Sequence, residues 1–141
     1  MKTKIFCDSA DIKTIKEFNG NSLVNGFTTN PSLMRKAGAK DYKNYSLKLL
    51  SVCKKKPISL EVFADKFDEM IRQANMINSW GKNVYVKIPV VNSKGLFSGT
   101  VINKLSNKGI KLNITAVYTV PQVRKILKNL NKKSKTIISI F

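Results

Sequence analysis

The sequence predicts a parallel α/β protein whose strands curl toward a closed barrel, and three observations lead there. Short apolar strands alternate with amphipathic helices along the whole chain, the pattern of a parallel sheet. Within most of those strands one face is aliphatic, while the other carries a polar group near its carboxyl end. Leu60 and Val62 alternate with Ser59 and Glu61, and Leu112 and Ile114 with Asn113 and Thr115. Ile5 and Cys7 alternate with Phe6 and Asp8, and Ile138 and Ile140 with Ser139 and Phe141. A parallel barrel projects functional side chains inward at those ends, whereas an open doubly wound sheet more often has two apolar faces. Third, the chain has no GxGxxG or P-loop to support a nucleotide site at a sheet switch point.

The elements follow in order. The first strand covers 4–8, and Ser9 or Asp11 caps a helix carrying Ile12 and Ile15. A second strand at 24–28 leads into the turn Thr29-Asn30-Pro31-Ser32. Asp41 starts a helix striped by Tyr42, Tyr45, Leu49 and Cys53, ended by Lys54-Lys55-Lys56-Pro57, cations suiting its negative end. The third strand is 58–62. The following helix shows Phe67, Met70, Ile71, Ala74 and Ile77, with Gly81 beyond its end. The fourth strand, 84–91, is followed by a turn at Ser93-Lys94-Gly95 and a helix with Val101, Ile102 and Leu105, closed by Gly109. A fifth strand covers 111–115. Pro121 suits the first turn of a helix with Val123, Ile126, Leu127 and Leu130, and 136–141 forms a sixth strand. The expected organisation is one partial barrel domain over residues 1–141.

The fourth strand carries the sharpest chemical signal. In Val84-Tyr85-Val86-Lys87-Ile88-Pro89-Val90-Val91, alternation puts Val84, Val86 and Ile88 on one face and Lys87 on the other. If both faces are covered, desolvation disfavours the charged amine and leaves a nucleophile for a carbonyl. The alternative is an edge-strand lysine reaching to water. Glu61 in an apolar strand implies either function or an ion pair with Lys87, because an isolated buried carboxylate is costly. Asp8 is a helix cap or an acid/base group. Thr28-Thr29-Asn30-Pro31 is a turn or places an amide donor, and Asn113 and Thr115 are satisfied core polars or site residues. Together they supply a lysine, two carboxylates, two amides and a hydroxyl, the parts of a Schiff-base aldolase.

Composition bounds the rest. The chain has 141 residues, 43% of them hydrophobic, and 26 Lys and Arg against 8 Asp and Glu, for a formal charge of +18. That charge raises nucleic acid or an anionic membrane as a partner, against a solvated lysine-rich surface. The aromatics lie at core spacing, with no exposed stacking set. The chain has no histidine and two isolated cysteines, Cys7 and Cys53. Histidine triads and histidine metal sites are excluded, and the thiols suit a reducing, cytosolic setting. No apolar run is long enough for a signal peptide or a membrane helix.

The chain resembles the transaldolases, especially the small ones that include fructose-6-phosphate aldolases. The matching stretches are Phe6-Cys7-Asp8-Ser9-Ala10-Asp11, Gly26-Phe27-Thr28-Thr29-Asn30-Pro31-Ser32-Leu33 and Ser59-Leu60-Glu61-Val62. Val86-Lys87-Ile88-Pro89, the run from Gly109 through Asn113 and Thr115 to Tyr118, and Ile138-Ser139-Ile140-Phe141 complete them in order. The resemblance implies a (β/α)8 TIM barrel with metal-independent chemistry and no cofactor, of which about six βα units are present here. It implies that Lys87 forms the Schiff base with the C2 ketone of a ketose phosphate. Asp8 would be the general base for C3–C4 cleavage, and Glu61 and Thr115 would move protons through a water. Asn30, Asn113 and Ser139 would hold the dihydroxyacetone unit, with Thr29 beside Asn30 and Phe141 lining the pocket. In the family, glutamine in place of Glu61 and tyrosine in place of Phe141 go with aldolase activity, so this chain favours transaldolase. Sugar phosphates are the implied partners, in the cytoplasm and in the pentose phosphate pathway, with a homo-oligomer at full length and no nucleic acid or membrane partner.

One departure from the family pattern is expected to matter. Eight strands close such a barrel, and strands seven and eight, with the family's phosphate-binding arginine after strand six, are missing from these residues. The first and sixth strands are then unpaired edges. The expectation is a truncated chain, inactive or nearly so by itself. The alternatives are a fructose-6-phosphate aldolase, a non-catalytic remnant that pairs with a complementary fragment, and a basic nucleic-acid-binding module.

Overall fold

A computed structural model describes residues 3–141 of the chain. It contains six strands, β1 (Ile5–Asp8), β2 (Val24–Thr28), β3 (Ile58–Glu61), β4 (Val84–Pro89), β5 (Leu112–Val117) and β6 (Thr136–Ile140). The helices are α1 (Ile12–Asn19), α2 (Pro31–Lys36), α3 (Tyr42–Val52), α4 (Phe67–Asn78), α5 (Gly99–Asn107) and α6 (Val120–Asn129). The strands run parallel in the order β1-β2-β3-β4-β5-β6. This is an incomplete (β/α) barrel with strand and helix alternating, the fold class the polar and aliphatic parity predicts. The described residues divide into two compact units, residues 3–61 with 80–84, and residues 62–79 with 85–141.

In the first unit β2 pairs with β1 and with β3. Asp11, not Ser9, caps α1, its Oδ2 accepting from the Thr14 N–H at 2.8 Å. Asp41 does the same for α3, taking the Asn44 N–H at 2.7 Å. The short helix α2 stands where sequence suggested only a turn. Asn30 Oδ1 accepts from the Leu33 N–H at 2.9 Å, and Pro31 fills the first helical position. Asn-Pro is a helix-start signal as well as a turn signal, and six residues are too few to show a period. The core holds Ile15, Phe27, Met34, Leu49, Ile58 and Leu60, all fully buried.

Gly26 sits where two side chains converge. A Cβ there would lie 2.5 Å from the Phe6 ring and 2.8 Å from Pro57 Cγ. The absent side chain is what lets Phe6 pack across β2.

In the second unit β5 pairs with β4 on one side and β6 on the other. Val86, Ile88, Leu112 and Ile114 are completely buried, together with Val101, Ile102 and Leu105 of α5 and Met70, Ala74 and Ile77 of α4. The helix stripes expected for α4 and α5 are therefore the faces that bury. A Thr119–Gln122 capping box opens α6, with Pro121 in its first turn. Gly109 ends α5 as expected, with φ +74°, returning its N–H to the Ser106 carbonyl.

Strand ends differ from the sequence reading by one or two residues. β4 stops at Pro89 because the chain turns back, Val91 bridging antiparallel to Phe97. β5 runs on to Val117 through an irregularity described below. The aliphatic face expected for β6 is only partly realised: Ile140 is 69% exposed. Among the described residues no helix is long and apolar enough to cross a membrane.

Replacing Gly26 with alanine should lower stability by about 1–3 kcal/mol, because Pro57 cannot rotate away. Chemical denaturation measures it; an unchanged midpoint would mean that the Phe6 ring moves freely aside.

Candidate functional site

The first unit gathers the two carboxylates and the Thr-Thr-Asn stretch at the carboxyl ends of its strands. Asp8 closes β1 in register with Thr28, and the Thr28 hydroxyl donates to Asp8 Oδ1 at 2.7 Å. That bond orients an exposed carboxylate from the neighbouring strand, so Asp8 is not the cap of α1. Burial, then the Asp8 charge, pushes the adjacent Cys7 thiol up from its ordinary value. Thr29 is fully buried, its N–H and hydroxyl both donating to the Ser59 carbonyl. Asn30 gives its carbonyl oxygen to the α2 cap. Glu61 ends β3 half-buried, and its backbone carbonyl accepts the Tyr42 hydroxyl at 2.8 Å. Burial raises the Tyr42 phenol far above its usual range, against that hydrogen bond, and the Glu61 charge adds to the rise.

The second unit gathers the lysine and the remaining polar groups. Lys87 is 8% exposed and lies in register with Asn113 on β5, while Pro89 faces Thr115. The Lys87 carbonyl accepts the Val62 N–H, and the Thr115 carbonyl that of Val90. Asn113 is fully buried, and its Oδ1 accepts from the Ser139 hydroxyl at 2.7 Å. Ser139 thereby fixes which end of the Asn113 amide faces β6: the oxygen. Lys87, Asn113 and Thr115 form one polar face on adjacent strands, continued by Ser139. Phe141 is 68% exposed, with its ring 5.9 Å from that of Tyr118.

Several contributors have little or no sequence signal. Thr28 was legible only as part of a motif; its contact with Asp8 follows from strand register. Ala116 has φ 56°, a left-handed conformation costly for a residue with a Cβ. It coincides with the register shift between Ile114 and Val117, so a bulge bends β5 directly after Thr115. Asp65 holds the turn after β4, accepting from the Ser93 N–H at 2.7 Å and its hydroxyl at 2.9 Å. Those two bonds keep its carboxyl below the usual range. Gln73 Oε1 accepts from the N–H groups of Phe63 and Ala64, tying the start of the same loop to α4.

A buried amine flanked by an oriented amide and a hydroxyl is chemically able to condense with a carbonyl compound. Comparison with known proteins bears on which one. A sequence profile of the transaldolase/fructose-6-phosphate aldolase family matches residues 5–141. The chain belongs to that family.

The family found is the one the Thr-Thr-Asn-Pro and Val-Lys-Ile-Pro stretches suggest. Among curated relatives, a probable transaldolase of Herpetosiphon aurantiacus is 34% identical over 119 residues, 84% of this chain and 51% of that protein. Probable transaldolases of Dehalococcoides mccartyi and Methanococcus maripaludis are 38% and 39% identical, each over 84% of this chain and 53% of their own length. The chain thus spans about half the length of the curated relatives it matches.

The strain at Ala116 gives a test of the bulge. Ala116→Gly should stabilise the protein by about 1 kcal/mol, whereas Ala116→Val should destabilise it by more than that. Thermal melts of the two variants check this; equal melting temperatures would remove the left-handed bulge.

Proposed function

We propose that this chain carries the Schiff-base half of a transaldolase reaction, moving a dihydroxyacetone unit from a ketose phosphate to an aldose phosphate. The observation that carries the reading is Lys87, sequestered on β4 in register with Asn113, in a chain that matches the family along nearly its whole length. Its amine would add to the C2 ketone of fructose 6-phosphate or sedoheptulose 7-phosphate and lose water to give an iminium. Glu61 and Thr115 would pass the protons of that dehydration through a water. Asp8 would take the C4 hydroxyl proton as the C3–C4 bond breaks, releasing an aldose phosphate. The electron pair left on C3 passes into the iminium as an enamine. Attack of C3 on an acceptor such as erythrose 4-phosphate, with the proton returned from Asp8, and hydrolysis of the new imine complete the cycle.

The hydrogen bonds around these groups support those roles. Thr28 holds Asp8 in one orientation, which a base acting on a single hydroxyl requires. Ser139 fixes the orientation of the Asn113 amide, and Asn113 with Asn30 would hold the bound three-carbon unit. Thr29 acts further back, clamping β2 to β3 below Asn30. Glu61 and Phe141, where aldolase relatives carry glutamine and tyrosine, favour transfer over release. Sugar phosphates acting in the cytoplasmic pentose phosphate pathway, and a homo-oligomeric state, belong to the same reading.

The test is product partition. With fructose 6-phosphate and erythrose 4-phosphate, transfer product should exceed free dihydroxyacetone. The double variant Glu61→Gln, Phe141→Tyr should shift the ratio toward release by about tenfold or more, a change near 1.4 kcal/mol in relative barriers. Free dihydroxyacetone in excess of transfer product, or a ratio indifferent to both substitutions, would contradict the proposal.

A further inference from the structure

The amino-terminal ends of β5 and β6 frame a cavity of about 470 Å3, lined by Lys111, Lys133, Lys135, Asn107, Asn131 and Ser134 among others. Register explains why the lysines meet. Leu112 pairs with Thr136, so Lys111 and Lys135 precede partnered residues on adjacent parallel strands. Their backbones are fixed there, the Lys135 carbonyl accepting from Leu112 and the Lys111 carbonyl from Val86. Like charges side by side on neighbouring strands destabilise a sheet. Burial, and then the Lys135 charge, pulls the Lys111 ammonium below its ordinary value. It also lies over the Tyr85 ring at 5.5 Å, which stabilises one cation and not three.

Local anions do not account for the cluster. All eight Asp and Glu residues fall at or before Glu69, and none lines the cavity. The carboxyl ends of α5 and α6 point toward this side of the sheet, each equivalent to about half a negative charge. Three lysines exceed that by roughly two unit charges. The rim is held by its own hydrogen bonds. Asn131 donates from its backbone to Ser106 Oγ and from its side chain to Asn107 Oδ1, while its own Oδ1 accepts from the Lys133 N–H. Ser134 closes onto the Ile110 carbonyl. These bonds fix the loop that carries Lys133 and Lys135.

We propose that this cavity binds a small, soluble, multiply charged phosphate anion, at the opposite ends of the strands from those that carry Thr115 and Ser139. Its volume suits a ligand of that size, and the approach of a polyvalent anion would relieve the repulsion between Lys111 and Lys135. The site is independent of the chemistry proposed for Lys87.

Calorimetric titration of the 141-residue chain with inorganic pyrophosphate, at constant chloride-adjusted ionic strength, tests it. One saturable site is expected. Lys133→Gln with Lys135→Gln should weaken binding by about tenfold or more, with circular dichroism unchanged. Both side chains are exposed, and Lys111 is kept so that its packing on Tyr85 survives. The exposed Lys48→Gln, alone and paired with Lys43→Gln on α3, matches the charge change and should cost less than twofold. No saturable binding, or equal losses in the α3 variants, would overturn the proposal. So would a single-stranded oligonucleotide that needs Lys133 and Lys135 while pyrophosphate fails to saturate.

Discussion

A lysine buried in the middle of a strand, 8% exposed between half-buried Tyr85 and Pro89 on its own face, is the constraint from which the rest of this structure follows. An ammonium in such a place costs free energy that neighbouring polar groups must offset. The backbone of β4 and its continuation leave no freedom to relocate it. The Lys87 carbonyl is taken by Val62, the Val86 N–H by Lys111, and the Val90 N–H by Thr115. A slip of one residue would turn Lys87 into the helix layer and expose Val86 and Ile88. Packing of α4 and α5 on the aliphatic face therefore determines where the amine lies. Asn113 and Thr115 then follow on the same face of β5 from its parallel register.

The other polar groups are held by bonds that serve structure first. Thr29 spans β2 and β3, Asn30 begins a helix, and Asp65 secures the turn after β4. Each uses part of its hydrogen-bonding capacity for the scaffold, which is how a rigid fold places side chains without flexible loops. The Ser139–Asn113 bond is the clearest case. A hydroxyl from one strand removes the rotational choice of an amide on the next, before any ligand arrives.

Much of this was legible in the sequence, because side-chain parity in a strand is a strong signal and burial enforces it. Alternation located Lys87, Asn113 and Thr115 on one face, and the family stretches placed the chain correctly. Contacts set by register between strands were not legible, since nothing in either sequence segment states which residues lie opposite. Thr28 beside Asp8 and Lys111 beside Lys135 are of that kind. Short or strained features were hidden too. Helix α2 is too brief for periodicity, and Ala116 adopts a conformation that composition assigns to glycine. The ring contact between Phe141 and Tyr118 was likewise hidden, since it joins the ends of two strands.

The central claim is that one amine, held away from water on β4, condenses with a ketone. Its most direct measurement is borohydride reduction of the protein in the presence of dihydroxyacetone, followed by peptide mass mapping. The account predicts a single reduced adduct on the peptide containing Lys87, absent from Lys87→Arg. An adduct spread evenly over the surface lysines, or one that survives in Lys87→Arg, would contradict it.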